Sequence, residues 1–464
     1  MHSHLHMDLQ MVVLFIFVTI NLCHITLADY VLDAHDSSSP CPIYLTVSPI
    51  SHNVENSHLE VNWGPKCANP AEWIALYLDD PSMSYAAPLF SIDLNNKTTG
   101  HVKTNVKLGD IELPYGWNRL AAAISKPDHI PKSACLPFYI ASFNGKSMQT
   151  LDCLKIQPNW MKSLPEIQKV PLKSLLLPGT HCSGCYDRRT KASRSILLKK
   201  FGFVQNFDIW TQLVFGVRYL DISIGYKDSK NETNPSANLW IVNENLFVAP
   251  LIPFLEEIHL FVTLSKEIVI LNFVDFPIGF FNYPERHLIL LRTLAAELGD
   301  VIYTRPWDNS ANSGDLTIEM MDRTGKSLLI LYNDKSVVED SQLIWPSWKK
   351  FSTVNLQNNE LSDYIRKIFS KKFENSTKYE PWVIYGIQGV GTSYSPGIHL
   401  PSSRERANAI NKVFTDSISN AWASNANAIA FDFFMSCNII DLAISTNMQK
   451  HINNTNYLIL DIDE

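Results

Sequence analysis

The residue best suited to chemistry is a histidine that follows an abrupt stop. In Leu175-Leu-Leu-Pro-Gly-Thr-His-Cys-Ser-Gly-Cys185, the apolar run Leu175 to Leu177 is ended by Pro178-Gly179, and His181 stands just beyond. The run reads as a buried strand, so His181 sits on the loop leaving its C-terminal end. An imidazole titrates near neutrality and serves as a general base or acid. In barrels of parallel strands, that end is where active sites are built. A lone loop histidine is more often ordinary than catalytic, so its surroundings decide. Cys182 and Cys185 have the spacing of a redox or zinc pair, but no second Cys or His pair lies nearby, which argues against both.

The elements that must position His181 alternate in type. Apolar β-runs cover 174–180, 216–224, 238–243, 267–276, 327–333, 381–388 and 428–434. Between them Phe254 to Leu264, Pro284 to Leu298, Leu361 to Phe369 and Arg404 to Ala423 carry helical periodicity. Ser402 and Ser403 before Glu405 are set to cap the last of these. Alternating strands and helices predict a parallel sheet, and this many units predict its closure into a β/α barrel. The long, mostly polar insert 334–381 is expected to decorate a loop face.

The region ahead of the barrel has another texture. Ile43 to Ile50 is rich in β-formers, His58-Leu-Glu-Val-Asn-Trp63 alternates like a half-buried strand, and Trp73-Ile-Ala-Leu-Tyr-Leu78 is continuously apolar. Asp79-Asp80-Pro81 closes the last as a turn, and further short strands fit at 100–106, 118–125 and 135–140. Such spacing predicts a β-sandwich. The expected organisation is a signal peptide over 1–28, a sandwich over 29–150, a proline-bearing linker over 151–172 and the barrel over 173–464.

The chain has 464 residues, 46% of them hydrophobic and 18% charged, enough for a large core. A net charge of -7 argues against a nucleic-acid partner. The apolar stretch Met11 to Ile20, with Thr26 and Ala28 spaced for cleavage after Ala28, predicts secretion. Sequons at Asn96, Asn231, Asn375 and Asn453 agree with export. Of the 8 cysteines, Cys23 leaves with the signal, while Cys41, Cys67, Cys135 and Cys153 are disulfide candidates whose pairing the sequence leaves open.

Four stretches in order carry a resemblance. Leu177-Pro-Gly-Thr-His-Cys-Ser-Gly184 resembles the first signature of phosphatidylinositol-specific phospholipase C (PI-PLC) X domains, and Gly216-Val-Arg-Tyr-Leu-Asp-Ile-Ser-Ile-Gly225 the second. Glu267-Ile-Val-Ile-Leu-Asn-Phe273 resembles the strand that follows, and Ala428-Ile-Ala-Phe-Asp-Phe-Phe434 the last barrel strand. The match runs from about residue 165 to the end, and the leading sandwich resembles the N-terminal module of secreted, X-domain-only animal members.

This resemblance implies phosphodiester cleavage by the inositol 2-hydroxyl. A histidine base, a carboxylate that holds it, a histidine acid for the leaving oxygen and a cation for the phosphoryl oxygens are required. His181 matches the base, Asp432 its orienting carboxylate and Asp221 the acidic residue of the second strand. Ser223 falls where bacterial members place an arginine, and Cys182 where that arginine's aspartate partner would sit. Both halves of an ion pair are thus replaced together. Calcium, the cation of eukaryotic signalling members, meets Cys182, Ser223 and Val274 at matching positions, leaving mainly Asp221, so no cofactor is expected. The third strand should end in the acid histidine, but Glu244 and Asn245 stand there, and the nearby His259 lies some turns into the next helix. A desolvated Glu244 is the substitute acid, and Lys227 or Arg188 the substitute loop cations. Cys437, following Asp432 on the same face, is expected to pair with Cys182 or Cys185.

Two functions are expected from this. One is a secreted phosphoric diester hydrolase with impaired turnover, acting on phosphatidylinositol or a glycosylated relative, with a peripheral membrane contact. The other is a catalytically inactive relative whose pocket binds an inositol phosphate head group or a protein partner. Adhesion through the sandwich rests on Trp63 and Trp73 alone, and both suit a core better.

Overall fold

The computed structural model describes residues 42–51, 54–64, 71–83, 87–114, 116–119, 133–188, 195–228, 234–306, 311–354, 360–361, 363–368, 380–389, 400–421 and 423–460. The expected signal peptide, Cys41, Cys67, Asn231 and Asn375 lie outside these residues.

Among the described residues seven strands precede the barrel: β1 (Ile43–Val47), β2 (His58–Trp63), β3 (Trp73–Tyr77), β4 (Phe90–Asp93), β5 (Gly100–Lys107), β6 (Ala134–Asn144) and β7 (Ser147–Ile156). They form two antiparallel sheets, β1-β2-β5 and β4-β3-β6-β7. Ile43, Leu59, Val61, Ile74, Leu76 and Ile140 turn inward and are buried. Cys135 and Cys153 form a disulfide joining β6 to β7. Trp63 belongs to this core, whereas Trp73 lies on the other face, stacked on Phe143 with ring centroids 4.1 Å apart. Of the expected strand 118–125, residues 118–119 are not strand and the rest lies outside the described residues.

The alternation of His58–Trp63 predicts one wet face, but Glu60 and Asn62 are also buried. Thr46 Oγ1 donates to Glu60 at 3.1 Å, Asn62 donates to Thr46 at 3.0 Å, and Lys412 from the helix Ser403–Ala421 forms an ion pair with Glu60. Glu60 is thus paired from the barrel side and the Asn62 amide nitrogen from β1, while Asn62 Oδ1 is left without a partner.

The connection is packed rather than loose, and it starts at Gln157 because β7 runs through Ile156. Trp160 Nε1 donates to the Gly216 carbonyl at 2.9 Å, and the main-chain N–H groups of Met161 and Lys162 donate to Glu267.

Among the described residues ten strands make the third sheet: β8 (Leu177–Thr180), β9 (Tyr219–Tyr226), β10 (Leu239–Asn243), β11 (Leu246–Pro250), β12 (Val269–Ile278), β13 (Leu328–Tyr332), β14 (Trp345–Pro346), β15 (Lys349–Ser352), β16 (Trp382–Gly386) and β17 (Ala428–Phe431). The order β14-β13-β12-β9-β8-β17-β16-β15 is parallel throughout, which curls the sheet into a barrel wall with β8 at its centre. The helices Ile252–Ser265, Pro284–Leu298, Ser403–Ala421 and Ile439–Leu460 belong to this part of the chain. Ser402 opens the third with a reciprocal cap: its N–H and Oγ donate to Glu405, whose N–H returns a bond at 3.3 Å.

Two expectations are corrected here. The run 238–243 is β10, which is antiparallel to β9 and turns back into β11 as a hairpin. The insert after residue 334 is not mere decoration: it supplies β14 and β15, and Trp345 and Trp348 fill the barrel interior. A stretch this polar shows no strand periodicity, because its two strands are short and the second opens with Lys349 and Lys350.

Candidate active site

Side-chain alternation decides what reaches the barrel axis. Leu177, Tyr219, Ile270, Leu329, Val383, Tyr385, Ala428 and Ala430 share one interior cluster. The same parity carries His181 beyond β8, Asp221 on β9, Asn272 on β12 and Asp432 beyond β17 to the C-terminal mouth. Gly179 permits this convergence. A Cβ there would lie 3.0 Å from the Tyr219 carbonyl oxygen and 3.1 Å from that of Ile429.

His181 Nδ1 stands 2.8 Å from Asp432 Oδ1. The carboxylate is an acceptor, so Nδ1 carries the proton and Nε2 is left as the free base. The Tyr385 ring meets the imidazole edge-on at 5.9 Å. Burial opposes the charged imidazole, but Asp432 and then Asp221 outweigh it, and the His181 pKa is raised; Lys350 pulls the other way.

Asp221 is 1% exposed, and its Oδ2 has no hydrogen-bond partner. Burial pushes its pKa up, against the attraction of His181 and Lys350. The Tyr385 hydroxyl reaches towards Asp221 and the Tyr219 hydroxyl, in contacts looser than well-formed hydrogen bonds. Both phenols are close enough to feel the Asp221 charge, and burial raises both further.

Lys350 was not legible from sequence. It comes from β15, in register with inward-facing Val383, and its Nζ lies 4.5 Å from the Tyr385 ring centroid. It therefore sets a positive charge within electrostatic reach of His181 and Asp221. The only signal was the lysine pair beside the Trp345 and Trp348 segment, which carries no motif.

The remaining expectations divide. Ser223 lies on β9 opposite Val242, half-buried. Cys182 has a left-handed backbone, φ 38°, and is disulfide-bonded to Cys185, with its Sγ 3.5 Å from the Val242 carbonyl oxygen. The pairing of Cys437 with that loop is corrected: Cys437 is a free, buried thiol beside the Phe434 carbonyl, packed with Phe414, Phe431 and Ile439. Cys182 instead turns towards β10, and its near neighbour in the chain takes the bond. Burial pushes the Cys437 thiol up to about 12.

Glu244 and Asn245 form the exposed tip of the β10–β11 hairpin, Glu244 with φ 52°. Among the described residues neither is hydrogen-bonded or ion-paired to His181, Asp221 or Asp432. β10 brings Val242 level with Ser223, but the chain turns into β11 just beyond, and Glu244 at the tip is exposed. Arg188 is spent on Glu257 and Tyr186, and Lys227 lies over the Trp240 ring at 3.9 Å. His259 pairs with Asp300 at 2.9 Å on the outer helix.

The residues do not fit calcium. Cys182 is bound in a disulfide, Val274 is apolar, and Lys350 already supplies positive charge beside Asp221. Among the described residues no group of three or more His, Cys, Asp or Glu converges as a metal site.

The topology defines the class: a mixed α/β chain whose curled parallel sheet forms a half-barrel, preceded by separate antiparallel sheets. The chain is 26% identical over 223 residues to the human protein named PI-PLC X domain-containing protein 1, covering 43% of this chain and 64% of that one. It is 25% identical over 212 residues to the mouse protein of the same name, covering 41% and 57%. The alignments thus span less than two thirds of these relatives. No family model matches the chain. A solved structure of the phosphatidylinositol-specific phospholipase C from Staphylococcus aureus aligns with 14% identity and a TM-score of 0.47, over 62% of this chain and 97% of that one. A calcium-dependent phosphoinositol-specific phospholipase C from Pseudomonas sp aligns with 12% identity and a TM-score of 0.30, over 61% and 96%.

Proposed function

We propose that the barrel mouth binds the inositol phosphate head group of a phosphatidylinositol-type lipid, and that it retains the base half of a phosphodiester-cleaving site without the acid half. The single observation that carries this reading is the His181–Asp432 pair, held at 2.8 Å with Nε2 free. A hydroxyl of the bound inositol gives its proton to Nε2, and the resulting oxygen attacks phosphorus. Lys350 supplies the cation that Ser223 cannot, by offsetting charge on the phosphoryl oxygens. The leaving alkoxide then departs without a positioned donor, because Glu244 points to solvent at the hairpin tip. A general acid contributes roughly 10²–10⁴-fold, so turnover is slow and binding is the stronger property.

Supporting observations extend the proposal to place. The disulfides Cys135–Cys153 and Cys182–Cys185, the exposed turn bearing Asn96 and the apolar leader suit an exported glycoprotein. Among the described residues no helix is long and apolar enough to cross a membrane. The loop after β12 exposes Phe281 at 85% and Tyr283 at 47%, which suits peripheral contact with a lipid surface.

The test is phosphatidylinositol vesicle cleavage and inositol phosphate binding by the full chain beside His181→Ala and Lys350→Met. Slow cleavage that vanishes in His181→Ala, with head-group affinity about tenfold weaker in Lys350→Met, supports the reading. Binding that ignores both variants would move the ligand elsewhere.

A further inference from the structure

The last ladder pair between β17 and β8 is Phe431 with Thr180. His181 and Asp432 each come one residue later. The His181 N–H still makes the last ladder bond, to the Phe431 carbonyl at 3.0 Å, but the two chains part beyond it, where the Phe433 N–H turns to Val204. A single bond at the end of a ladder leaves the separation of the two side chains to further contacts. Gln205, 1% exposed, donates through Nε2 to the His181 carbonyl at 2.9 Å and to the Phe431 carbonyl at 2.8 Å. One amide thereby ties the main chain of the base to the main chain entering its carboxylate partner. The surrounding backbone braces the amide: the Val204 and Gln205 N–H groups donate to the Cys185 carbonyl at 2.9 and 3.0 Å, and the Phe433 N–H donates to the Val204 carbonyl at 2.8 Å.

The carboxylate strand is held from the other side as well. Asn411 Nδ2 donates to the Asp432 carbonyl and to Ser436 Oγ, both at 2.6 Å. Gln205 Oε1 and Asn411 Oδ1 are both buried without a partner. Each amide thus serves as a donor only, and leaves its acceptor unpaired to do so.

We propose that Gln205 is the positioning residue that sets His181 against Asp432, with Asn411 bracing the carboxylate's main chain. The claim concerns the imidazole–carboxylate pair and stands whether or not the mouth cleaves a lipid. The charged groups acting on His181 are Asp432, Asp221 and Lys350. Of these, Asp432 is the hydrogen-bonded partner and so the one most sensitive to a shift of either loop.

The experiment is an NMR titration of the His181 imidazole in the full chain, with thermal melts alongside. Gln205→Met removes both donors at similar length, and Gln205→Asn keeps the amide one methylene short. Asn447→Ala is the control. Asn447 is a buried amide bridging the Leu176 main chain to the helix Ile439–Leu460, away from the mouth. Gln205→Met should lower the His181 pKa by about one unit, a tenfold shift, and Gln205→Asn by less. Asn447→Ala should lower the melting temperature and leave the titration unchanged. Wild-type titration in the Gln205 variants, or an equal shift in Asn447→Ala, overturns the proposal. Should Gln205→Met fail to fold, the Asn variant decides by the same reading.

Discussion

The two ends of the barrel treat buried charge in opposite ways, and β9 links both. Just before it, Arg218 meets Glu267 at 2.8 and 2.9 Å, the side chains 1% and 0% exposed. The guanidinium also donates to the carbonyls of Leu213, Val217 and Pro158, and the carboxylate accepts from the Met161 and Lys162 N–H groups. Three residues on, Asp221 is as deeply buried, yet its Oδ2 lacks a well-formed hydrogen bond, and it faces the Tyr385 hydroxyl and the charges of His181 and Lys350 rather than a paired counter-ion. Full satisfaction marks a part built to hold, here the joint between the connection and the barrel floor. Unsatisfied groups in a compact core are costly, and they persist where their charge is wanted. The closed end is the stability site, and the open end is where ligand chemistry belongs.

The largest expected effect comes from breaking the closed end. Glu267→Ala leaves a buried guanidinium without its counter-ion and should lower unfolding free energy by about 3–5 kcal/mol in denaturant melts. The double variant Arg218→Met/Glu267→Leu should recover most of that loss. If the single variant were neutral, the contrast between the two ends would fail.

At the open end the sign reverses. The Asp221 pKa lies above its ordinary 3.8, so the folded chain holds that proton to higher pH than the unfolded chain does. The unfolded chain binds fewer protons over that window, so the stability contribution falls as pH rises from 3.8 through the raised value. Asp221→Asn should therefore stabilise the protein at pH 7 by about 1–3 kcal/mol. The gain should shrink to nothing under acid conditions, as read by melts across pH. A destabilised Asn variant at neutral pH would mean that the carboxylate has a partner.

A third comparison sharpens the role of the mouth. His181→Ala should change stability by within about 1 kcal/mol, since the side chain is partly exposed, while removing cleavage. The raised His181 pKa adds a pH signature. Because the base must be neutral, cleavage should rise with pH through a midpoint above the ordinary 6.5. An acid-side optimum would assign the base elsewhere.

The smallest effect concerns Cys437. With its thiol pushed up to about 12 and buried, it should resist alkylation in the native protein and react only after unfolding. Rapid native labelling would place it at the surface.

Much of this was legible in the chain itself. The hydrophobic runs marked β8, β9, β12, β13, β16 and β17 because each strand is buried on both sides and reads as continuous apolar sequence. The helix Pro284–Leu298 has the very bounds its periodicity predicts. Loop punctuation and the family resemblance singled out His181, Asp221 and Asp432, and the barrel's parity brings the three to one mouth.

One-dimensional patterning thus carried local features: burial, period and the residue types at strand ends. Strand direction and the choice of partners came from the fold. Nothing in 238–243 tells a parallel from an antiparallel strand, since an apolar run looks the same either way, and the hairpin that follows turned Glu244 out to solvent. Lys350 lies far along the chain from His181, in a segment too polar and short to show a period, and reaches the mouth only because β15 follows the curl of the sheet. The cysteines went the same way. Their types and count permit several pairings, and the turn of one loop towards β10 joined Cys182 to Cys185 and left Cys437 alone. Contacts between distant segments depend on how strands order and bend in space, which one-dimensional patterning does not encode residue by residue.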